Sequence, residues 1–247
     1  MTFQTLSLET EGHVATLTLD RPSAGNAVNE TMAFELREAC AQADQDGDVW
    51  VMLLTGSGDT FCRGSDLSSP IETLGVADAV AAIRMPVISA LNGDATDQGL
   101  ELALACDIRI ASSRARLGLT QVKQGMMPWD GGTQRLPRLI GLGRAMEMVL
   151  TSRVLGAQEC VEAGLVTELV DPSRLMDRAR ELASTVSKYG PIATRYLKEA
   201  LQKGADLTLE HGLRLEADLN VILHSTADRA EGVRSFLERR KPEFRGE

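Results

Sequence analysis

The sequence has no apolar run that approaches the ~20 residues needed to cross a bilayer, and it has no excess of basic residues. Acidic side chains outnumber basic ones, 35 to 26, which gives a formal net charge of −9 at pH 7. This balance argues against a nucleic-acid partner. The first twelve residues alternate in polarity like a strand and lack the basic-then-apolar order of a signal peptide. We therefore expect a cytoplasmic protein that binds neither a membrane nor a nucleic acid.

Cysteine and histidine are also scarce, with four and three residues respectively. The cysteines show no CxxC or other metal-ligand spacing, so we interpret them as small buried side chains in a reducing cytosol. The scattered histidines predict neither a zinc site nor a Ser-His-Asp triad, and we expect no metal ion. The cysteines are Cys40, Cys62, Cys106 and Cys160, and the histidines are His13, His211 and His224.

Polarity patterns predict strands that alternate with helices, followed by helices alone after about residue 172. Continuous apolar runs are typical of strands buried on both faces, and strand–helix alternation favours a largely parallel sheet. The first helix is expected to bury Phe34, Leu36 and Ala39. The predicted elements are a hairpin over 3–9 and 13–19, a helix over about 29–45, and strands over 51–54, 87–91 and 108–110.

Two segments, 92–110 and 125–139, carry the features that point to chemistry. The first passes from a strand into a helix through Asn92-Gly93 and Gly99, and it places Glu101 about one residue into that helix. The second places Asp130 in a glycine-rich turn before another helix. Amide groups at a helix start can hold an oxyanion. Two acids beside such amides suit proton transfer next to a carbonyl.

These segments resemble the crotonase superfamily, also called the enoyl-CoA hydratase/isomerase family. The resemblance implies an α/β fold, a crotonase-like spiral of β-β-α repeats with a helical C-terminal region. It implies a spiral core over 1–190 and a trimerisation or lid region over 191–247, in a homotrimer or a hexamer built as a dimer of trimers. It also implies an acyl-CoA substrate, with coenzyme A as part of the substrate and no permanently bound cofactor. The other segments that carry the resemblance are 14–29, 50–67, 145–170, 191–201 and 225–244.

The family's oxyanion hole maps onto two backbone amides of this chain. One donor would be the amide of Ser65, in the run from Phe61 to Asp66. The second lies in the middle of a Gly-Gly-Gly run in the family, which reads Asp97-Gln98-Gly99 here, so the donor would be the Gln98 amide. Any residue but proline supplies this N–H, yet the loss of two glycines predicts altered geometry. The alternative is that both segments are ordinary turns.

Glu101 matches the first of the two glutamates of the family's hydratases, and the second falls at Gln121. Glutamine cannot exchange a proton as a carboxylate can, but it can orient a water or a substrate oxygen. Many of the family's isomerases keep their acid at the position of Gln121, so Glu101 alone does not identify an isomerase. The alternative for Glu101 is an acid that only stabilises the helix start.

Asp130, nine residues beyond Gln121, is a candidate for the missing acid. It resembles the nucleophilic aspartate of the 4-chlorobenzoyl-CoA dehalogenases and the acid of the 6-oxocamphor hydrolases, which cleave β-diketones without CoA. The alternative is that Asp130 caps the helix at 131–139, and one residue can do both. Trp129 is expected either to line the acyl pocket or to pack beside it.

The resemblance also suggests residues that contact the substrate and its coenzyme A. Arg63 stands where the family usually has a small alanine, so it can pair with a phosphate or block the nucleotide. Only 20 positions separate Asp66 from Pro86, which predicts a more open acyl pocket. The suggested contacts are Ser23, Ala24, Cys62, Arg63, Gly64, Asp66, Trp129, Lys241 and Phe244.

Three functions compete at this point. The first is an acyl-CoA hydratase or isomerase that stabilises an enolate and moves protons with Glu101, helped by Asp130. The second is a hydrolase of a C–C bond or another substituent in which Asp130 is central and CoA is absent. The third is a catalytically weak scaffold. Gln121 and the lost glycines favour the last two, while Glu101 and the basic segment that contains Lys241 favour the first.

Overall fold

The computed structural model describes residues 3–66 and 75–247. Two mixed β-sheets and a C-terminal group of helices make up the fold. The strands are β1 Leu6–Glu11, β2 Val14–Leu19, β3 Val51–Gly56, β4 Thr60–Cys62, β5 Val87–Leu91, β6 Asp94–Thr96, β7 Ile108–Ser112, β8 Arg116–Gly118, β9 Val154–Gly156 and β10 Glu168–Val170. The helices are α1 Glu30–Gln45, α2 Ala77–Ala81, α3 Gln98–Ala105, α4 Gly132–Ile140, α5 Leu142–Leu150, α6 Ala157–Glu162, α7 Leu175–Val186, α8 Pro191–Gly204, α9 Leu209–Leu223 and α10 Ala227–Glu238.

The larger sheet has six strands in the order β1-β2-β3-β5-β7-β10. The predicted hairpin forms its edge, since β1 and β2 pair antiparallel around Gly12, which has a φ of +56°. The remaining pairs are parallel, as the apolar runs predicted, and Leu53 lies opposite Ile88. Every residue of β3 is buried, which explains why its sequence is apolar without alternation.

The smaller sheet has four strands in the order β4-β6-β8-β9, parallel except for the last pair. The chain passes from a strand of the large sheet to a strand of the small sheet and then to a helix, three times in succession. These passes are β3-β4-α2, β5-β6-α3 and, after a short 3₁₀ segment, β7-β8-α4. The spiral of β-β-α repeats is thereby confirmed, and it brings α3 next to strands β4 and β6 of the small sheet.

The two faces of the large sheet pack against different helices. Along β3, Met52 and Leu54 face the main core, which also contains apolar residues of α1 and α3. Val51 and Leu53 face a second cluster that includes Leu175 and other residues of α7. This alternation follows from the two-residue side-chain period of a strand, and it makes α7 the cover of the sheet's outer face.

The predicted first helix is confirmed as α1, but the prediction for Phe34 was wrong. Leu36 and Ala39 are buried, whereas 57% of Phe34 is exposed. The buried stripe of α1 passes through position 35 instead, because residues one position apart point about 100° away from each other on a helix. Glu35 fills that place, and its carboxylate accepts hydrogen bonds from the amides of Gln4 and Thr5.

The predicted helical C-terminal region is confirmed as α7 to α10, and α8 begins with Pro191, a favoured first helical residue. The chain beyond α10 folds back, so that the amides of Arg245 and Gly246 donate to the carboxylate of Asp228. Part of the shortened connection after Asp66, residues 67–74, lies outside the described residues. None of the described helices is both long and apolar enough to cross a membrane.

A buried ion pair attaches α8 to the spiral core. The Lys198 ammonium lies 2.7 Å from the Asp107 carboxylate and donates to the Met85 carbonyl at 3.0 Å. The same carboxylate accepts from the Val87 amide and from the side chain of Gln202. Asp107 thus satisfies a backbone amide after α3 and also holds α8, the first of the last three helices.

We predict that Asp107→Ala lowers the free energy of unfolding by about 3–5 kcal/mol, because it leaves the Lys198 ammonium buried without its counter-charge. Urea unfolding at fixed protein concentration measures this loss. Glu199→Ala is the matched control, since it removes the acid of the Lys203–Glu199 pair at the surface of the same helix. That pair should be worth at most about 1 kcal/mol. Equal effects of the two substitutions would contradict the role given to Asp107.

Candidate active site

The site is organised around the first turn of α3, which follows directly after β6 of the small sheet. All eight residues of α3 are buried, so a polar side chain on it must find its partners inside the protein. Glu101 is the fourth residue of α3 and is 0% exposed. A carboxyl group is therefore held without solvent contact beside the amides of a helix start.

The two carboxyl oxygens of Glu101 have different partners. Oε1 accepts hydrogen bonds from the backbone amides of Asp130 and Gly132, both at 2.8 Å. Oε2 accepts from the side-chain amide of Gln121 at 3.3 Å. A Cβ added to Gly132 would lie 2.9 Å from Oε1, so glycine there allows the loop to approach the acid this closely. The structure thus brings together three residues that the sequence singled out.

Burial raises the pKa of Glu101 from its ordinary 4.5 to about 7. The amides of Gly132 and Asp130 act in the opposite direction, because they favour the ionised form. The negative charges of Asp130 and Asp97 raise the pKa further. A group with a pKa near 7 is present in both protonation states at neutral pH, so it can accept or donate a proton there.

Gln121 begins a 3₁₀ turn, Gln121–Gln124, and its side chain is buried. Its NH₂ group donates to Glu101, while its Oε1 accepts no hydrogen bond from any described residue. A buried acceptor is rarely left unsatisfied. This carbonyl oxygen is therefore suited to a small donor such as a water molecule.

Asp130 is also buried, but it does not cap α4 as one of the two alternatives expected. The N-cap of α4 is Gly131, with a φ of +98° and no side-chain cap. The Asp130 Oδ2 atom instead accepts from the amides of Val76 and Ala77, at the start of α2, and from the Gln98 side chain, each at 3.0 Å. The carboxylate therefore links the loop before α4, where Asp130 lies, to the start of α2 and the start of α3.

The run Asp97-Gln98-Gly99 contains one residue with a glycine-like backbone and one position that requires glycine. Asp97 has a φ of 52° and a ψ of −124°, dihedrals of a type II′ turn that normally require glycine. Its carboxylate is held by the amide and the hydroxyl of Thr120. Gly99 cannot be replaced, since a Cβ there would collide with the Cys62 carbonyl. The turn is kept, and side-chain hydrogen bonds of Asp97 replace the freedom of glycine.

The first expected oxyanion donor, the Ser65 amide, follows Gly64, whose φ is +99°. The amide and carbonyl of Val28 bond to Gly64 and Asp66 on either side of it, and no described residue accepts a hydrogen bond from the Ser65 amide. The second, Gln98, is the first residue of α3. Amides in the first turn of a helix point away from the helix body.

The expected CoA-contact residues of the N-terminal half lie close together. Ser23 and Ala24 lie in the 3₁₀ turn Pro22–Ala24, and a Cβ on the next residue, Gly25, would be 3.1 Å from the Arg63 side chain. The guanidinium of Arg63 is exposed and lies 3.4 Å from Asp94. This places an exposed guanidinium beside the 3₁₀ turn that contains Ser23 and Ala24.

Asp94 and Arg116 form a pair that sequence reasoning missed. Arg116 lies 2.7 Å from Asp94, and hydrogen bonds from Arg116 lower the pKa of Asp94. The charge of Asp94 is offset by Arg116 and Arg63. Their spacing of 22 residues matches no local period, so no pattern in the sequence could have paired Asp94 with Arg116.

The remaining expected contacts have other surroundings. Phe244 lines a cavity with Gly190, Gly232 and neighbouring residues of the C-terminal region, and Lys241 is exposed. Trp129 is half-buried beside Asp130, and its indole N–H has no acceptor among the described residues. Within one chain, then, Lys241 and Phe244 belong to the C-terminal region rather than to the loop at 22–25.

Cys62 and Asp66 frame the Ser65 segment. Burial raises the pKa of the Cys62 thiol to about 12, so the side chain stays neutral. The Asp66 carboxylate lies 3.6 Å from the Arg21 guanidinium.

No cluster of three or more His, Cys, Asp or Glu side chains in the described parts of the chain could hold a metal ion.

Comparisons with known proteins place this geometry in context. A family model described as enoyl-CoA hydratase/isomerase matches residues 9–247. The (E)-benzylidenesuccinyl-CoA hydratase of Thauera aromatica is 40% identical over 253 residues, covering 98% of this chain and 99% of the relative. The crotonyl-CoA hydratase of Syntrophomonas wolfei is 35% identical, covering 99% of each. The crystal structure of an enoyl-CoA hydratase from Bacillus anthracis has a TM-score of 0.95 at 38% identity, covering 99% of this chain and 100% of that chain.

The raised pKa of Glu101 predicts how stability depends on pH. A carboxyl group that binds its proton more tightly when folded contributes stability that is complete below pH 4.5 and is lost as the pH rises through about 7. Glu101→Gln should remove this loss, because glutamine keeps an acceptor for the two amides and carries no charge. Between pH 5 and pH 8 the wild type should lose roughly 2–3 kcal/mol more than the variant.

Urea unfolding of both proteins at the two pH values measures this difference. Glu38→Gln, an exposed substitution on α1, controls for the loss of one charge. Parallel pH profiles for the wild type and Glu101→Gln would show that the Glu101 pKa is not raised.

Proposed function

The chain belongs to the enoyl-CoA hydratase/isomerase family, and we propose that it hydrates an α,β-unsaturated acyl-CoA thioester with Glu101 as its one general acid and base. The observation that carries this proposal is the buried carboxyl of Glu101, whose Oε1 is fixed by two backbone amides while Oε2 faces Gln121. Two relatives whose names describe hydratases of CoA thioesters support the substrate class. Coenzyme A then enters as part of the substrate, with no separate cofactor.

In the proposed reaction, a water molecule adds across the conjugated double bond. The ionised Oε2 of Glu101 takes a proton from the water as its oxygen bonds to the β-carbon, and the π electrons move to the thioester oxygen. Glu101 then gives that proton to the α-carbon, which yields a 3-hydroxyacyl thioester. One carboxyl completes both transfers, so the acid is regenerated in its ionised form.

The enolate oxygen formed in this reaction needs hydrogen-bond donors. We assign this role to the amides of Ser65, which forms an isolated bridge with Val28, and of Gln98, the first residue of α3. Donors fixed in advance can stabilise charge that develops only in the transition state. The hydrogen bonds that hold Asp97 support the second donor, because they fix the turn from which α3 begins.

Gln121 supports a water at the reacting position. Its NH₂ group donates to Glu101, and its buried Oε1 has no donor among the described residues. A water that donates one hydrogen to this oxygen can present the other to Glu101. Gln121 thus orients the water, while Glu101 performs every proton transfer.

The remaining assignments extend the same proposal to CoA. Ser23, Ala24 and Arg63 would contact the nucleotide end, and the exposed guanidinium of Arg63 is suited to a phosphate. Cys62, Gly64 and Asp66 would border the thioester, and Trp129 the acyl group. Because Phe244 and Lys241 lie in the C-terminal region, we propose that they reach a CoA bound by a neighbouring subunit.

The hydrolase alternative depends on Asp130, and the scaffold alternative depends on Gln121. The hydrolase would not require CoA and should not be retained on CoA-agarose, whereas the scaffold would show no turnover with any enoyl thioester. The division of the chain into a core over 1–190 and a helical region over 191–247 likewise remains a prediction.

We predict that Glu101→Gln lowers the hydration rate of a short enoyl-CoA, such as crotonyl-CoA, by about 10²–10⁴-fold, the usual range for general acid–base catalysis. In the wild type, kcat/KM should rise with pH and level off above the Glu101 pKa of about 7, because the ionised form accepts the first proton. Loss of the conjugated double bond is followed by ultraviolet absorbance. The exposed substitution Glu38→Gln should leave the rate unchanged.

A second substitution tests the pocket itself. Gln121→Glu should place two acids beside the water and keep or raise the hydration rate, provided that the new carboxyl shares a proton with Glu101.

Full activity of Glu101→Gln would show that Glu101 takes no part in the mechanism. Turnover of a CoA-free β-diketone instead of an enoyl-CoA would favour the hydrolase.

We also propose that the chain assembles as a homotrimer or as a dimer of trimers. Large apolar side chains on α8, α9 and α10 are exposed in the single chain, with Phe236 at 81% and Leu209 at 79%. Exposed apolar patches of this kind mark interaction surfaces. Light scattering should give a mass three or six times the chain mass of 26.7 kDa. A stable monomer at micromolar concentration would contradict this proposal.

A further inference from the structure

Asp130 has partners in two helices, α2 and α3, that are distant from it in sequence. Its Oδ2 atom accepts from the amides of Val76 and Ala77, which begin α2, and from the side chain of Gln98, which begins α3. Its own backbone amide donates to Oε1 of Glu101. The first two bonds connect residues 54 and 53 positions apart. One buried residue thus joins the start of α2, the start of α3 and the acid.

We propose that Asp130 is a positioning residue that fixes the starts of α2 and α3 relative to Glu101 and places a second negative charge beside that buried acid. This inference rests on the proposed role of Glu101. It differs from the nucleophile that the resemblance suggested, because it gives Asp130 no bond to the substrate.

The contacts explain why a carboxylate stands at position 130. A single oxygen receives three N–H groups at 3.0 Å, an arrangement that a charged acceptor favours. Asp130 is 3% exposed, so its side chain has little access to water. An oxygen already surrounded by three donors is poorly placed to attack a substrate.

The carboxylate of Asp130 has amide donors but no ion-pair partner among the described residues. In the described parts of the chain no Lys or Arg side chain contacts its carboxylate. The guanidinium of Arg135, from α4, binds the backbone carbonyl of Asp130 and the carboxylate of Asp78 on α2. The other charged group that acts on Glu101 is Asp97, at the start of α3. Both acids disfavour ionisation of Glu101, while the amides of residues 130 and 132 favour it.

Two substitutions separate the bonds of Asp130 from its charge. Asp130→Asn keeps an oxygen that can accept the two α2 amides but removes the charge, so the Glu101 pKa should move to a lower pH. Asp130→Ala removes both, so the amides of Val76 and Ala77 should exchange with solvent faster by at least about tenfold, because a hydrogen bond to a charged group is lost. A purely structural residue would change the melting temperature and leave the Glu101 titration unmoved.

The experiment uses the full-length protein without substrate. Isotope-edited infrared or ¹³C NMR titration of the glutamate carboxyls, with Glu101→Gln identifying the relevant signal, gives the Glu101 pKa. Hydrogen exchange gives the protection of residues 76 and 77. Glu38→Gln is the control, since it removes an exposed charge from α1 and should alter neither readout.

A lower Glu101 pKa in Asp130→Asn, together with faster exchange in Asp130→Ala, would support the proposal. An unchanged titration in the first variant, or unchanged exchange in the second, would overturn it. A covalent adduct on Asp130, found by mass spectrometry after mixing with an acyl-CoA, would also overturn it. If Asp130→Ala does not fold, the titration of Asp130→Asn still decides. Because no readout requires turnover, an incorrect choice of reaction would leave these outcomes interpretable.

Discussion

The burial of one carboxyl group at the start of α3 is the constraint on which the rest of the site depends. A Glu101 side chain without solvent must obtain its hydrogen bonds from the protein. The loop before α4 supplies two amides, and this requires Gly132 to approach without a side chain. The spiral supports this arrangement, since its repeats bring α3 and the loop that follows β8 to the same side of the small sheet.

The electrostatics of the site depend on the neutral side chain of Gln121, the direct side-chain partner of Glu101. Two buried carboxyls in contact would hold one proton between them, whereas a neutral amide leaves the Glu101 proton under the control of burial and of more distant charges. Asp97 and Asp130 supply those charges, and each is itself fixed by N–H or O–H donors. Asp97 and Asp130 therefore change the pKa of Glu101 through their charges, and Asp130 also does so through its backbone amide. The side chain that contacts Glu101 directly, Gln121, is uncharged.

The sequence could predict the elements whose signal is local. The hairpin around Gly12, the buried strand at 51–54 and the long first helix were all read correctly from periodicity, because each depends on the spacing of apolar residues. Phe34 was misplaced because the stripe of α1 passes through Glu35, an acid that the pattern counted as exposed. The fold itself was predicted in a different way, from the order of segments that resemble the crotonase superfamily and not from the periodicity of apolar residues.

The site was predictable in its members but not in their contacts. The neighbours Glu101 and Gln121 were paired because both positions match a family motif. The partners of Asp130 were missed because Val76 and Ala77 lie more than fifty positions away, and no periodicity connects a turn to a helix start at that distance. The hydrogen bonds of Thr120 with Asp97 were missed for the same reason. Such contacts depend on how the spiral closes, which composition and spacing do not encode.

The four cysteines have a consequence for an enzyme that would handle thioesters. Thioesters transfer their acyl group readily to thiolates, so an ionised cysteine near the substrate would become acylated and inactivate its own protein. Burial raises the pKa of Cys40, Cys62, Cys106 and Cys160 to about 12, and the thiol rather than the thiolate is the form present at neutral pH. Cys62, beside the Ser65 segment, is the one for which this matters most. The packing of the core thus also protects the protein from its own proposed substrate.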